Sequence, residues 1–362
     1  MSEDHSNSAT ETITSTTIDA AIVGGGIAGL WLLNLLRRKG YSVLLFEADR
    51  IGCGQTLSSQ GMIHGGLKYA LSGSLTGASE AIASMPARWR DSLSGKGDVD
   101  LSGLEPLSDK YYMFAEASSL GRLTSFFASK LLRGRIQKLA PAQFPDGLSD
   151  FDGVVYELDD FVLDTQALLE RLLEPVCSLV YNARISAGDL RRTTDGWRLD
   201  LGSEAIIARQ LILAAGAGTG KLLGELGFKT PRIQLRPLHQ VVARHPDLHP
   251  LYAHCLTGLT RSEPRITITT HTDRLTDQHW LWYLGGQLAT KGADLNSTDQ
   301  KVRAYRELTT CVPWIDWDKA DLQCLRIDRA EPAQDEGKRP DEAYVEAFDH
   351  TLVCLPTKLS LA

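Results

Sequence analysis

Six cysteines, Cys53, Cys177, Cys255, Cys311, Cys324 and Cys354, include no C-x-x-C pair and no Cys/His cluster at zinc spacing, which leaves no metal site to expect. They read as reduced and structural. A basic surplus is missing too: 38 Lys and Arg against 45 Asp and Glu give a net charge of −7. That sign excludes a surface built mainly to hold nucleic acid or anionic lipid, though a local basic pocket for a small anion stays open. No apolar run reaches the ~18 residues of a membrane-spanning helix. The Ser- and Thr-rich stretch 1–17 lacks the apolar core of a secretory signal and reads as a disordered tail. The expected compartment is the cytoplasm, with contact at a membrane surface left open. Internal repeats are absent, and no G-x-S-x-G elbow supports Ser-His-Asp chemistry.

What is present begins directly after the tail. With 362 residues, 43% of them hydrophobic, the chain is long enough for about two domains and a sizeable core. Ile18 to Val23 is a short apolar run ending in Gly24-Gly25-Gly26-Ile27-Ala28-Gly29, after which Leu30, Leu33 and Leu36 recur at helical spacing. Arg37, Arg38 and Lys39 sit where the helix is negative, and Gly40 follows. A second strand, Tyr41 to Phe46, ends at Glu47. This is a βαβ unit with G-x-G-x-x-G and an acid about 20 residues beyond it. Gly24 permits the turn, Gly26 lets backbone N–H groups approach a pyrophosphate, and Gly29 lets helix and strand lie close. Glu47 suits ribose hydroxyls and disfavours a 2′-phosphate, so FAD or NAD is expected rather than NADP.

The stretch behind Glu47 separates the two cofactors. From Ala48 to Tyr69 it is long and rich in glycine and hydroxyls, where a nicotinamide dehydrogenase would return sooner to helix and strand. Such a stretch suits FAD, whose far half must be cradled by backbone and small side chains. Gly24 to Glu47 followed by T-L-S-S-Q-G-M-I-H-G-G-L-K-Y resembles the D-amino-acid-oxidase-like FAD superfamily, in particular its glycerol-3-phosphate dehydrogenase and L-2-hydroxyglutarate dehydrogenase branches. Three further segments fit that resemblance: Glu157 to Leu169, Leu211 to Thr219, and Leu352 to Ala362. Lys68, where the glycerol-phosphate enzymes have arginine, and Pro356-Thr357, in place of a glycine pair, depart from it. Related proteins continue past the segment resembling Lys358 to Ala362 into a helix beside the flavin, so the expectation here is a shortened chain or a site completed differently.

The resemblance implies an α/β (α+β) fold: a Rossmann-like FAD-binding domain, 18–95, 152–230 and 320–362, with a discontinuous antiparallel-sheet substrate domain, 96–151 and 231–319. Within the latter, Tyr111 to Ala115 and Arg135 to Leu139 read as strands and Leu120 to Leu132 as a helix. Leu235 to Ala243, Arg265 to Thr270 and Trp280 to Gly286 read as roof strands. Trp280, Trp282 and Tyr283 read as sheet packing. Thr165 to Val176 reads as a helix, and Gly196 to Leu201 as a strand of the FAD domain. The residues implied for FAD are Gly24, Gly26, Ile27, Ala28, Gly29, Glu47, Ala48, Gln55, Thr56, Ser58, Ser59, Gly61, Met62, Ile63, Ala215, Gly216 and Lys358.

Oxidising a C–OH or amine carbon requires removal of a proton, a task suited to histidine. Among nine histidines, His64 lies in the flavin-facing segment and is the candidate base; the alternative is a histidine that only packs on the cofactor. His239 and His271, on roof strands, are weaker candidates for facing a substrate. A small anionic substrate needs Arg or Lys, and Arg329, shortly before Pro332, resembles the family's arginine over the flavin. Arg326 competes with it, and an ordinary salt bridge of Arg329 to Asp328 or Glu331 is the bland alternative. Lys358 would offset negative charge on the reduced ring. Cys53 has no visible resolving partner and reads as bystander. The expected function is oxidation of a C–OH bond in a 2-hydroxy acid or glycerol-3-phosphate-like substrate, with amino-acid oxidation or a non-catalytic FAD-binding protein as alternatives. The electron acceptor and oligomeric state stay open.

Overall fold

The computed structural model describes residues 14–66, 82–116, 136–256, 263–273, 280–334, 340 and 342–362. Lys68 and the expected helix from Leu120 to Leu132 lie outside these residues. In chain order the strands are β1 Thr14–Val23, β2 Val43–Glu47, β3 Met62–Ile63, β4 Tyr111–Glu116, β5 Ile136–Lys138, β6 Gly153–Leu158, β7 Phe161–Val162, β8 Val180–Asn182 and β9 Leu190–Thr193. They continue as β10 Gly196–Leu201, β11 Glu204–Leu213, β12 Ile233–Arg244, β13 Ala253–Cys255, β14 Ile266–Thr272, β15 Trp280–Gly285, β16 Asp321–Pro332, β17 Tyr344–Phe348 and β18 Thr351–Leu355. The helices are α1 Ile27–Arg38, α2 Met85–Leu93, α3 Thr165–Leu173, α4 Thr219–Glu225, α5 Gln287–Lys291 and α6 Ser297–Cys311.

The first sheet runs β17-β18-β11-β1-β2-β8, with β10 and β9 branching from β11. Its central pairs β18–β11, β11–β1, β1–β2 and β2–β8 are all parallel, so their carboxyl ends meet at one edge. Both faces are covered, which is why Ala20 to Val23 of β1, Val43 to Phe46 of β2 and Leu211 to Leu213 of β11 are continuous apolar runs. Ile22, Val43 and Leu45 pack with Leu30 and Leu33 of α1 and Leu168, Leu169 and Leu172 of α3. Ala21, Val23, Phe46 and Leu213 face the other way, onto Trp197, Leu199 and Leu222. Each fully buried leucine here contributes roughly 1.5–3 kcal/mol. Helix α3 starts where Asp164 accepts the Gln166 and Ala167 N–H groups.

The second sheet runs β16-β12-β15-β14-β13-β4-β6-β5. One face, with Val241, Ala243, Ile268, Trp282 and Leu284, packs on α5 and α6 through Leu288, Ala304 and Leu308. The expectation of packing holds for buried Trp282. Sheet membership moves several expected boundaries. β1 begins at Thr14, so residues 14–17 are strand and not tail. Val99, Leu101 and Leu104 pack with the α1 layer, although they lie beyond the expected break at residue 95. β6 pairs with β4 and β5, placing 153–158 in the second sheet. The largest correction is β16, which pairs with β12 along its whole length, from Asp321↔Arg244 to Pro332↔Ile233. It belongs to the roof and not to the segment 320–362 assigned to the cofactor sheet. The pairing is antiparallel and joins distant residues, so no local pattern announces it.

Candidate active site

The carboxyl edge of a parallel sheet is where an α/β protein places its ligand. Here it is formed by the Gly24 turn, Glu47, the Ala214-Ala215-Gly216 turn and the segment after β18. Gly24 adopts φ 113°, and a Cβ on it would stand 2.5 Å from the Ala214 carbonyl oxygen. A Cβ on Gly29 would lie 1.9 Å from the Gly24 carbonyl oxygen, so only glycine lets α1 start so close to β1. Gly26 is the N-cap of α1 and provides no side-chain cap. Space over it is bounded by Thr56, whose Oγ1 would be 3.3 Å from a Cβ there and accepts the Ile27 N–H at 3.0 Å. Glu47 accepts the Gly25 N–H at 2.6 Å and the Asp49 N–H at 2.9 Å. Those bonds aim the carboxylate while leaving lone pairs for further donors.

The residues present fit an adenine dinucleotide: small residues and backbone N–H groups at the positive end of a helix, beside an oriented acid. Gly24, Gly26, Ile27, Ala28 and Gly29 could take the pyrophosphate, with Glu47 and Ala48 at the ribose. Gln55 lies against Gly216, with its Oε1 3.4 Å from where a Cβ would be. Ser58 donates to the Gly54 carbonyl and Ser59 Oγ accepts the Gly61 N–H, which keeps this loop compact. Gly61 abuts the Leu163 carbonyl, leading into the β3–β7 pair of Met62 with Val162 and Ile63 with Phe161.

His64 follows β3 and is 4% exposed. Its N–H donates to Ser360 Oγ at 3.1 Å, and the Gly65 N–H donates to Asp160 Oδ1 at 2.8 Å. Ser360 lies in the 3-10 turn Leu359–Leu361, whose N-cap is the buried Lys358. The Trp89 indole donates to the Ser360 carbonyl, so α2 closes the unit from the other side. His64 and Lys358 therefore belong to one hydrogen-bonded body.

Roof residues divide by strand parity. Arg326 and Arg329 are three apart and point to opposite faces. Arg326 pairs in register with His239 and donates to the Leu295 carbonyl, on the helix side. His239 is also there, with Nδ1 3.1 Å from the Gly292 carbonyl and Gln300 bonding its backbone. The structure does not bring His239 to the substrate face. Arg329 stands opposite Arg236 on the other face and is half-buried, and β16 as a strand packs on the Gly216–Gly218 turn. Arg236 holds the fully buried Glu331 through two hydrogen bonds, 2.9 and 2.7 Å.

His271 does face away from the helices, stacked edge-on to Tyr283 at 4.8 Å with Nε2 3.2 Å from Thr269 Oγ1. Burial lowers its pKa to about 4, against the opposing charge of Asp164. Burial likewise raises the Tyr283 hydroxyl pKa. Sequence reasoning missed Gln60, whose amide donates to the Tyr283 carbonyl at 2.9 Å and the Thr267 carbonyl at 3.2 Å. It thereby ties the cofactor loop to the roof. Gly285 leaves it room, since a Cβ there would lie 2.3 Å from Gln60 Oε1. Gln60 and Tyr283 are 223 positions apart, so only the S-S-Q-G context hinted at a special residue. Asp160, Ser360 and the Arg236–Glu331 pair also escaped notice. Among the described residues no group of His, Cys, Asp and Glu could hold a metal ion, and no helix is long and apolar enough to cross a membrane.

A parallel sheet with a glycine turn at its edge, together with a second sheet that is antiparallel except at its β13–β4 pair, is the frame of a dinucleotide-binding protein, and comparison with known proteins gives its family. The chain belongs to the FAD dependent oxidoreductase family, which matches residues 19–311. It is an FAD-dependent oxidoreductase. The probable FAD-dependent oxidoreductase PA4991 of Pseudomonas aeruginosa is 47% identical over 348 residues, covering 95% of this chain and 88% of that protein. Its crystal structure matches with a TM-score of 0.80 at 40% identity, over 97% of this chain and 88% of the other. Aerobic glycerol-3-phosphate dehydrogenase of Escherichia coli is 37% identical over 67 residues, 18% of this chain and 13% of that one. Glycine oxidase of Geobacillus kaustophilus shares the fold, with a TM-score of 0.66 and 17% identity, over 95% and 91% of the two chains.

Proposed function

We propose that this oxidoreductase oxidises the C–OH bond of a small anionic substrate, a 2-hydroxy acid or a compound resembling glycerol 3-phosphate. FAD, when bound, supplies the acceptor for the hydride leaving the carbon. The first sheet is the FAD-binding part, holding the dinucleotide through the glycine turn, Glu47 and the Gln55 to Ile63 loop, with Ala215 and Gly216 beneath. The second sheet is the substrate part. His64 removes the hydroxyl proton, for which an imidazole has a suitable proton affinity. Arg329 receives the substrate anion, where a planar guanidinium can pair two oxygens at once. Lys358 offsets negative charge that develops at the cofactor.

One observation carries this reading: the base candidate and the cation candidate are parts of a single body, because the His64 N–H is bonded to Ser360 in the turn that Lys358 caps. The short likeness to glycerol-3-phosphate dehydrogenase supports a hydroxyl substrate, whereas glycine oxidase shares the fold alone. The test is anaerobic addition of 2-hydroxy acids, glycerol 3-phosphate and amino acids to the FAD-loaded protein, followed by visible absorption. Bleaching by a hydroxy compound is expected, slowed about 10²- to 10⁴-fold in His64→Gln. Bleaching by amino acids alone overturns the hydroxyl reading, and an undiminished rate in His64→Gln removes the base.

A further inference from the structure

We propose that Asp160 and Ser360 are positioning residues that together fix the place of His64 in the site. The inference rests on the reading of His64 as the base, and its geometry is that of a β-ladder continued by side chains. The β3–β7 pairing ends at Ile63↔Phe161. Beyond it a continued backbone ladder would have to satisfy the next N–H groups, and two side chains do so instead. Ser360 Oγ accepts the His64 N–H at 3.1 Å, and Asp160 Oδ1 accepts the Gly65 N–H at 2.8 Å. Asp160 is the residue immediately before β7, so its carboxylate takes over where the strand's own backbone stops. Ser360 arrives from 296 positions away, at the far end of the chain.

All the groups concerned are buried: Asp160 is 3% exposed, His64 4% and Ser360 1%. Water therefore cannot substitute for either acceptor if it is removed, and an N–H left without a partner there costs far more than one at a surface. Ser360 is itself fixed, its hydroxyl within 3.4 Å of the Met62 carbonyl and its own carbonyl taken by the Trp89 indole at 3.1 Å. Two consecutive amides held from opposite sides leave the His64 Cα–Cβ direction little freedom. Neither Asp160 nor Ser360 acts on the substrate; Ser360 works through the backbone of His64 and Asp160 through that of the next residue, Gly65. The carboxylate is the stronger acceptor, because a hydrogen bond to a charged group contributes more than one to a neutral hydroxyl. Asp160 is accordingly the dominant member, and Ser360 the lesser.

The test uses the FAD-loaded full chain carrying ¹⁵N-glycine and ¹³C,¹⁵N-histidine, with the His64 and Gly65 signals assigned by their loss in His64→Gln and Gly65→Ala. In Asp160→Ala, exchange of the Gly65 amide is expected to accelerate about 10- to 100-fold and the His64 ring signal to shift or split. Asp160→Asn keeps an acceptor oxygen and is expected to restore both signals, a rescue that loss of general stability would not show. Where the substrate panel yields a reducing compound, Asp160→Ala slows flavin reduction by about 10²-fold while FAD stays bound. Should Asp160→Ala fail to retain FAD, Ser360→Ala carries the same measurement at the His64 amide. Unchanged exchange and ring signals in these variants overturn the proposal, as does an Asn variant as damaged as the Ala variant. Failure of the base assignment is distinguishable, since His64→Gln would then keep its reduction rate while the Gly65 amide still answered to Asp160.

Discussion

At the glycine turn backbone atoms leave room for glycine alone at Gly24 and Gly29, whereas on the arm made by β12 and β16 the face of Arg329 follows from strand register. A Cβ at Gly29 would meet the Gly24 carbonyl at 1.9 Å, five positions away. Arg329, by contrast, owes its face to a register with Arg236, 93 positions away. The glycine turn is thus specified sterically. The arm is specified by strand parity and long-range pairing, which leaves many side chains compatible with the same fold.

The largest effect that would break this contrast lies in the turn itself. Gly29→Ala is expected to cost about 3 kcal/mol or more, because the added methyl has only backbone to displace, and to yield a protein without flavin colour. Gly26→Ala meets only the Thr56 hydroxyl, at 3.3 Å, and is expected to retain most of the stability while weakening FAD binding. Thermal unfolding and absorbance of FAD-reconstituted samples separate the two. Equal losses of stability in both variants would show that the turn is not divided into a packing glycine and a ligand glycine.

Lys358 is buried at the head of the turn that holds His64. Lys358→Met is expected to slow flavin reduction by roughly 10²-fold while leaving FAD bound, since the charge matters most when negative charge develops. Stopped-flow reduction against an equilibrium FAD titration measures both. An unchanged reduction rate would sink the assignment and make Lys358 part of the packing.

On the arm the expected effect is smaller and falls on binding. Arg329→Leu should weaken the anionic substrate about 10- to 100-fold, the worth of losing hydrogen bonds to a charged group. Arg326→Leu should change it little, because Arg326 points to the helices and bonds the Leu295 carbonyl. The reverse ranking in a dissociation-constant comparison would mean that the parity argument fails.

That pair also shows what was legible in the sequence and what was not. The βαβ unit and Glu47 could be read because the glycine spacing, the helical period and the acid all lie within one continuous stretch, and because the Gly29 contact with Gly24 acts across five residues. The strands of the roof could be read one at a time from their alternation. Their partners could not: the segment Leu325 to Pro332 looks like a lead-in to the last cofactor strand, and only pairing with β12 reveals it as roof. Without that register Arg326 and Arg329 are indistinguishable, and His239 looks as available as His271. Asp160 and Gln60 were invisible for a related reason, since each bonds a backbone group of a segment distant in sequence.

The smallest effect concerns His271, which shares the site-facing side of the roof with Tyr283 but differs from Arg329 in being held neutral. Its folded pKa of about 4 lies below the ordinary 6.5, with burial as the first cause and the Asp164 charge acting against it. Above pH 6.5 the ring is neutral whether the chain is folded or unfolded, and its contribution to stability is fully present. As pH falls toward 4 the unfolded chain binds a proton that the folded chain refuses, so stability declines through that window and the decline levels off below the folded pKa. His271→Gln should remove this component: its melting temperature should fall less than the wild type's between pH 6.5 and 4. Parallel curves would mean that the ring is not kept neutral by burial. The roof would then present a titrating charge to the site, and the contrast between a fixed cation at Arg329 and a neutral remainder would no longer hold.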